Sequence, residues 1–476
     1  MRLLVLFHRW VGVVLSLMFA TWFATGAMMV FVAFPSLGAS DAARGSAAIR
    51  MGAVAIGPDI ARGHLADSAD LRLIDRDSTP VYVAAVDGHA TVLSAVDGAR
   101  LPAIDGPVAA RIAAAFGRAP VKRLDGPFDY DQWVVHQQFD PVRPVFRARL
   151  EDAPGTELYV SARTGEVIQR TVRYERACNW LGSVIHWIYI VPIRRSFALW
   201  DWTVWIVSLV GLASVTAGLT LGISRTVTRL RAGQTASPFK GLLRWHHLLG
   251  LCAGLFVACW ITSGWLSMDH GRLFSDGEAG PSAIARYRDG PAPTPRRLEP
   301  ADLRALQGAS VVRFGRVAGR EVAAADGPGL GPIKVLTTGS AGVQASNGLP
   351  PDLLIKAVRY GWPGEQIVEV SPVIADSPYA KAEGLGSSAR LIRLEGRTTE
   401  RLYVDGQSGR VMVVMDRSRA AYAWVYYMLH TYNFPGLSDR PVLRITLLLI
   451  PLSAGFAFSI TGLLAAVRRL RLTVRT

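Results

Sequence analysis

Four of the chain's nine histidines stand at matched positions. A shift of 238 residues lays His8, Gly12, Trp22 and Gly26 on His246, Gly250, Trp260 and Gly264. A shift of 244 lays His186 on His430 and Gly218-Leu219 on Gly462-Leu463. Internal similarity of this kind marks a tandem repeat. If both halves run the same way through a membrane, a pseudo-two-fold axis along the membrane normal brings equivalent residues together at equal depth. His8 is then expected to face His246, and His186 to face His430. Two imidazoles meeting across an axis are the axial ligands of a six-coordinate haem iron, and helical bundles hold such groups between facing helices.

Each candidate has a plainer alternative. His8 and His246 precede a glycine by four residues, which puts both on one helical face and leaves room for a flat macrocycle. The alternative is a histidine in a basic headgroup flank, such as His8-Arg9. His247 rivals His246, one residue and about 100° round the helix, and the repeat register selects His246. His186 and His430 stand in aromatic segments at 179–190 and 422–432. The stretch from His186 to Gly218 would make about 48 Å of continuous helix, so His186 belongs at the outer membrane boundary or on a helix bent at Pro192. His270 follows the third apolar run and could replace His186 or His430 as a ligand, but it has no counterpart in the first half. His64, His89 and His136 read as surface or turn residues. Met28, Met29, Met268 and Met428 read as packing, and Cys252 and Cys259, seven apart, as small hydrophobes.

The elements that must position these side chains are membrane helices. Half of the 476 residues are hydrophobic and 19% are charged, which excludes disorder. The apolar residues gather in four runs, 10–34, 199–223, 246–268 and 443–467, each near the roughly 20 residues that cross a ~30 Å hydrocarbon layer. The first run is too long for a secretory signal. The net charge of +15 sits where topology demands it and not in a nucleic-acid patch. Arg225, Arg229, Arg231, Lys240 and Arg244, the tail residues Arg468, Arg469, Arg471 and Arg475, and Arg2 all mark the cytoplasmic side. The expected segments are a first transmembrane helix within 1–34, a periplasmic domain with an interfacial segment over 35–198, and a second helix at 199–223. A basic loop at 224–245, a third helix at 246–268, a second periplasmic domain over 269–441, a fourth helix at 442–467 and a basic tail at 468–476 complete the chain. Stretches 38–50 and 277–297 read as linkers. The fold class is membrane α-helical: a four-transmembrane-helix bundle from two parallel repeats, with two periplasmic α+β domains.

Several motifs carry a family resemblance. They are His8-Arg9-Trp10-Val11-Gly12, Trp245-His246-His247-Leu248-Leu249-Gly250, Leu429-His430, Thr461-Gly462, and the strands Tyr159-Val160 and Tyr403-Val404 before turns at Gly165 and Gly409. On these, and over essentially its whole length, the chain resembles the PepSY-associated transmembrane family of bacterial inner-membrane proteins, whose outer domains are PepSY domains. Similarity to its FoxB-type siderophore reductases implies two b-type haems and reduction of a ferric siderophore at the periplasmic face. Where the family has Leu-His before the second helix, this sequence reads Val184-Ile185-His186.

The leading expectation is an electron conduit in the bacterial inner membrane. Haem b between His8 and His246 would take electrons from a quinol or a cytoplasmic donor, and haem b between His186 and His430 would deliver them to a ferric siderophore or other ferric chelate. Arg194 and Arg195 beside Trp200 and Trp202 form a candidate docking rim or an interfacial anchor, with Asp201 placed to pair with one of the arginines. Two other classes stand beside this one: a membrane-anchored binding or regulatory protein without redox activity, and a siderophore permease. No Walker or dinucleotide fingerprint is present.

Overall fold

The computed structural model describes residues 1–65, 71–291, 296–373, 377–396 and 400–474, so Arg475 and residues 292–295 of the second linker lie outside the described residues. Among the described residues four helices are long and apolar enough to cross a bilayer: Arg2–Phe31, Phe197–Arg231, Gly241–Ser267 and Pro441–Arg471. They overrun the apolar runs because hydropathy marks only the part in hydrocarbon, while backbone hydrogen bonding continues into the polar flanks. Arg229 and Arg231 close the last turn of the second membrane helix, where cations complement the helix dipole. The Ser196 side chain caps its start by accepting from the Leu199 N–H.

His186 does not lie on the second membrane helix. The chain before that helix breaks into short helices at Arg173–Leu181, Ser183–His186 and Val191–Arg194. The bend expected at Pro192 falls earlier, at residues 187–190, and Pro192 instead opens a helix, where its missing N–H costs nothing. Ile188 takes a φ of 55°, and Tyr432 takes 57°. Each stands two residues after its histidine, and a bulky side chain in the left-handed region is a true outlier that the surrounding structure must hold in place. The same strained turn thus follows both His186 and His430.

Strands β1 (Leu71–Arg76), β2 (Thr79–Val86), β3 (His89–Ser94), β4 (Val121–Phe128), β5 (Val145–Leu150), β6 (Glu157–Ser161) and β7 (Val167–Thr171) lie between the first and second membrane helices. Between the third and fourth lie β8 (Val311–Val317), β9 (Arg320–Asp326), β10 (Val335–Gly339), β11 (Gly342–Ser346), β12 (Gln366–Pro372), β13 (Ala389–Glu395), β14 (Glu400–Asp405) and β15 (Val411–Met415). The orders β4-β5-β6-β7 and β12-β13-β14-β15 give one four-stranded sheet in each connection. The first packs on helix Gly106–Gly117 through Ala109, Ala113, Phe146 and Leu158.

The two connections do not fold separately, as the sequence reading expected. Their remaining strands join in one seven-stranded antiparallel sheet ordered β11-β10-β9-β8-β1-β2-β3. At its seam Leu71 pairs with Phe314 and Ile74 with Val311. Lone β1 or β8 edges would expose unpaired backbone groups, and each covers the other. One core that includes Leu73, Tyr82, Leu93, Leu306 and Val312 backs the seam from both connections. A buried ion pair, Arg62 with Glu321 at 3.2 Å, crosses it as well. Arg72 grips Glu166 with two bonds of 2.9 and 2.7 Å and ties this sheet to the first four-stranded one. The bundle therefore ends in a single body whose parts hold the segments carrying His186 and His430.

Candidate functional site

At the end of the bundle that carries the chain termini, His8 and His246 face each other with ring centroids 6.4 Å apart and planes inclined by 32°. His8 Nδ1 bonds the Ser214 carbonyl at 2.9 Å, and a carbonyl can only accept, so Nδ1 carries the proton. His246 Nδ1 lies 3.0 Å from Thr461 Oγ1, whose own proton goes to the Phe458 carbonyl. The hydroxyl therefore accepts from His246, and again Nδ1 is the protonated nitrogen. Phe458 stacks on the His246 ring at 4.9 Å. Gly218 lies so close to His8 that a Cβ there would come within 2.6 Å of the imidazole, and a Cβ on Gly462 would touch His246 at 3.4 Å.

The sheet-bearing end repeats this wiring. His186 Nδ1 lies 3.0 Å from Thr25 Oγ1, which donates to the Trp22 carbonyl. His430 Nδ1 lies 3.0 Å from Ser263 Oγ, which donates to the Trp260 carbonyl. A Cβ on Gly26 would meet His186 at 3.4 Å, and one on Gly264 would meet His430 at 3.1 Å. His430 ends a wide π-helical stretch, Trp424–His430, and Tyr426 stacks on its ring at 5.9 Å.

In all four residues Nδ1–H is anchored, so the lone pair is on Nε2, and among the described residues no hydrogen bond engages any of those Nε2 atoms. That is the tautomer and orientation of a metal-ligating histidine with its outer hydrogen bond in place. Among the described residues no three His, Cys, Asp or Glu side chains gather to hold a metal ion, so His8 and His246 offer two imidazoles with no further protein ligand beside them. That donor set fits the iron of a planar macrocycle. A cavity of about 680 Å³ opens at the first pair, and Gly12, Gly218, Gly250 and Gly462 are among its walls.

A family model described as the PepSY-associated TM region matches residues 5–469. The chain belongs to that family. No curated protein matches it. In this PepSY-associated membrane protein the remaining candidates separate clearly. His247 turns away from His8, with Nε2 3.3 Å from the Gly222 carbonyl. His270 Nδ1 lies 2.6 Å from Asp201 and its ring packs on Trp202 and Trp205, so its Nδ1 is anchored too, but by a carboxylate and between two indole rings, with no hydroxyl-glycine dipeptide against it.

The docking-rim reading is corrected in part. Arg194 is 1% exposed and lies under Tyr189 and Trp200, bonded to Gln137, so it is a core residue and cannot meet a ligand at the surface. Trp200 is buried too, with its Nε1 bonded to the Trp187 carbonyl, which anchors the turn after His186. Arg195 and Trp202 remain exposed. Asp201 pairs with His270 and not with an arginine.

Thr25, Ser263, Thr461 and the Ser214 carbonyl are site residues that the reading of histidines alone missed. The signal was present in the sequence. Thr25-Gly26, Ser263-Gly264 and Thr461-Gly462 are the same hydroxyl-glycine dipeptide, each set against one histidine. The fourth position reads Ala217-Gly218, and there the Ser214 backbone supplies the acceptor that Ala217 cannot.

Proposed function

We propose that this protein is a di-haem reductase of the bacterial inner membrane that moves electrons outward to reduce a ferric siderophore or similar ferric chelate. The observation that carries the reading is the fourfold wiring, with Nδ1–H anchored and Nε2 bare in all four histidines, of which His8 and His246 face each other. Both termini and the arginine-rich loop after the second membrane helix lie in the cytoplasm by the charge rule, which makes the sheet-bearing end periplasmic. The halves are parallel repeats about an axis along the membrane normal.

Haem b bound between paired imidazoles supplies one-electron chemistry. The protein's part is to hold and tune. His8 and His246, and His186 and His430, would be the axial ligands, and each anchored Nδ1 fixes its ring and raises the basicity of Nε2. The glycines opposite make space for a flat group. Between the two ends Phe23, Val257, Trp260, Leu448 and Leu452 form an apolar cluster that keeps water out. On the first membrane helix His8 and Thr25 are separated by about 25 Å of rise, so the two pairs stand near opposite faces of the hydrocarbon layer. Hydroxamate and catecholate oxygens are hard ligands that hold ferric iron far better than ferrous iron, so one electron loosens the chelate without breaking it.

The deciding experiment is a visible spectrum of detergent-purified protein before and after dithionite, with pyridine haemochrome quantification. About two haem b per chain is expected; a colourless preparation from haem-replete cells would remove the reading. Proteoliposomes with reductant inside and ferric siderophore plus a ferrous trap outside then test the outward direction. Gly218→Val is expected to push His8 aside and lose about half of the bound haem, since branched side-chain atoms would occupy the space of the imidazole.

A further inference from the structure

The cavity at His8 and His246 has a second chemistry that axial ligation does not use. On its second-helix side it is walled by His247, Phe239, Arg225 and Lys240. His247 is 8% exposed. Its Nε2 lies 3.3 Å from the Gly222 carbonyl and 3.4 Å from Thr226 Oγ1, and the Thr226 hydroxyl donates to the Ala236 carbonyl. Both neighbours accept, so Nε2 holds the proton and Nδ1 is a bare lone pair. Nδ1 is buried and has no hydrogen-bond partner. This is the reverse of the wiring in His8, His186, His246 and His430. It also has no twin, because the matching position in the first half is Arg9.

A buried acceptor without a donor is an anomaly that a ligand can resolve. The ligand must bring a hydrogen, so a carboxylate or a quinone oxygen cannot serve, whereas a hydroxyl can. Phe239 meets the His247 ring edge to face at 5.5 Å and offers an apolar wall for a flat ring. The Arg225 guanidinium lies 5.3 Å over that phenyl ring, and among the described residues no Asp or Glu lines the cavity, which suits an oxygen gaining negative character.

We propose that this wall binds the hydroxy-aromatic headgroup of a membrane quinol, with one hydroxyl donating to His247 Nδ1 and the ring lying along Phe239. The inference rests on the reductase reading and names its electron donor. Each quinol oxidised there would become a quinone, releasing two protons to water at the basic end of the bundle and two electrons, one at a time, to the one-electron acceptor that His8 and His246 would hold. His247 is a binding residue in this scheme; His246, beside it, faces the other way.

The test is fluorescence quenching of a hydroxyquinoline N-oxide, a quinol mimic, titrated onto the detergent-purified full chain. Saturable binding displaced by a short-tailed ubiquinol is expected. His247→Phe, which keeps the bulk and removes the acceptor, should weaken it about tenfold or more, while His247→Asn, whose amide oxygen can stand in for Nδ1, should stay within about threefold. Haem content should be unchanged in both. The His8→Ala chain should still bind the probe, so the site can be read even if the haem assignment fails. Absence of saturable binding, equal binding by His247→Phe, or displacement by anionic phospholipid but not by ubiquinol would overturn the proposal.

Discussion

Purified His246→Ala protein is expected to carry about one haem b per chain where the parent carries about two, and His247→Ala is expected to keep both. The two residues are neighbours with equal intrinsic affinity for iron, so the contrast isolates orientation. His246 has Nδ1 tied to Thr461 and its ring stacked on Phe458, which leaves Nε2 without a hydrogen bond on a ring 6.4 Å from that of His8. His247 has spent Nε2 on the second membrane helix. His8→Ala should reproduce the His246→Ala spectrum, because a six-coordinate site fails when either axial ligand goes. His186→Ala and His430→Ala should remove the other haem and leave the first. Full haem retention in His246→Ala, or loss in His247→Ala alone, would mean that the hydrogen bonds described here do not select the ligand.

Gly12→Leu should uncouple stability from cofactor retention. A Cβ at Gly12 would meet nothing within 4 Å, so the polypeptide has no objection to a side chain there. Leucine also favours the helix over glycine by up to about 0.8 kcal/mol, so the apoprotein is expected to resist heat slightly better than the parent. Yet Gly12 lines the cavity in front of His8 and His246, and four carbons in that space compete with a flat ligand. The expected result is a stable protein with about half the haem. The comparison with Gly218→Val matters, since that change collides with His8 itself. If Gly12→Leu retains both haems, the opening in front of the pair does not house the macrocycle.

The helices and the approach of His8 to His246 were legible because both follow simple rules of pattern. Apolar runs long enough to span a bilayer have few other uses, and one offset in the sequence aligns His8 with His246. The expectation that Gly12 and Gly250 give room for a ligand agrees with their place in the cavity wall. The glycines that touch the imidazoles were harder to assign: Gly218 serves His8, and Gly26 serves His186, across helix interfaces that no local pattern encodes. The shared sheet escaped notice for a similar reason. β1 and β8 are ordinary alternating strands separated by more than two hundred residues, and nothing in Leu71 or Phe314 says that each is the other's partner. Arg194 was misplaced because a cation among aromatic residues reads as a membrane-surface anchor. It takes the folded chain to reveal Gln137 beneath it.

The strand seam between Leu71 and Phe314 bears on how such a molecule could arise. Either half by itself would present one raw β-edge of the right shape to meet a copy of itself, so a half-length ancestor had reason to live as a twin. Fusing the twins into one polypeptide keeps that embrace and frees the two genes' worth of sequence from having to stay identical. The divergence is visible where Arg9 answers to His247: a covalently joined pair can let one half change at a position that the other keeps, with no risk of mispairing.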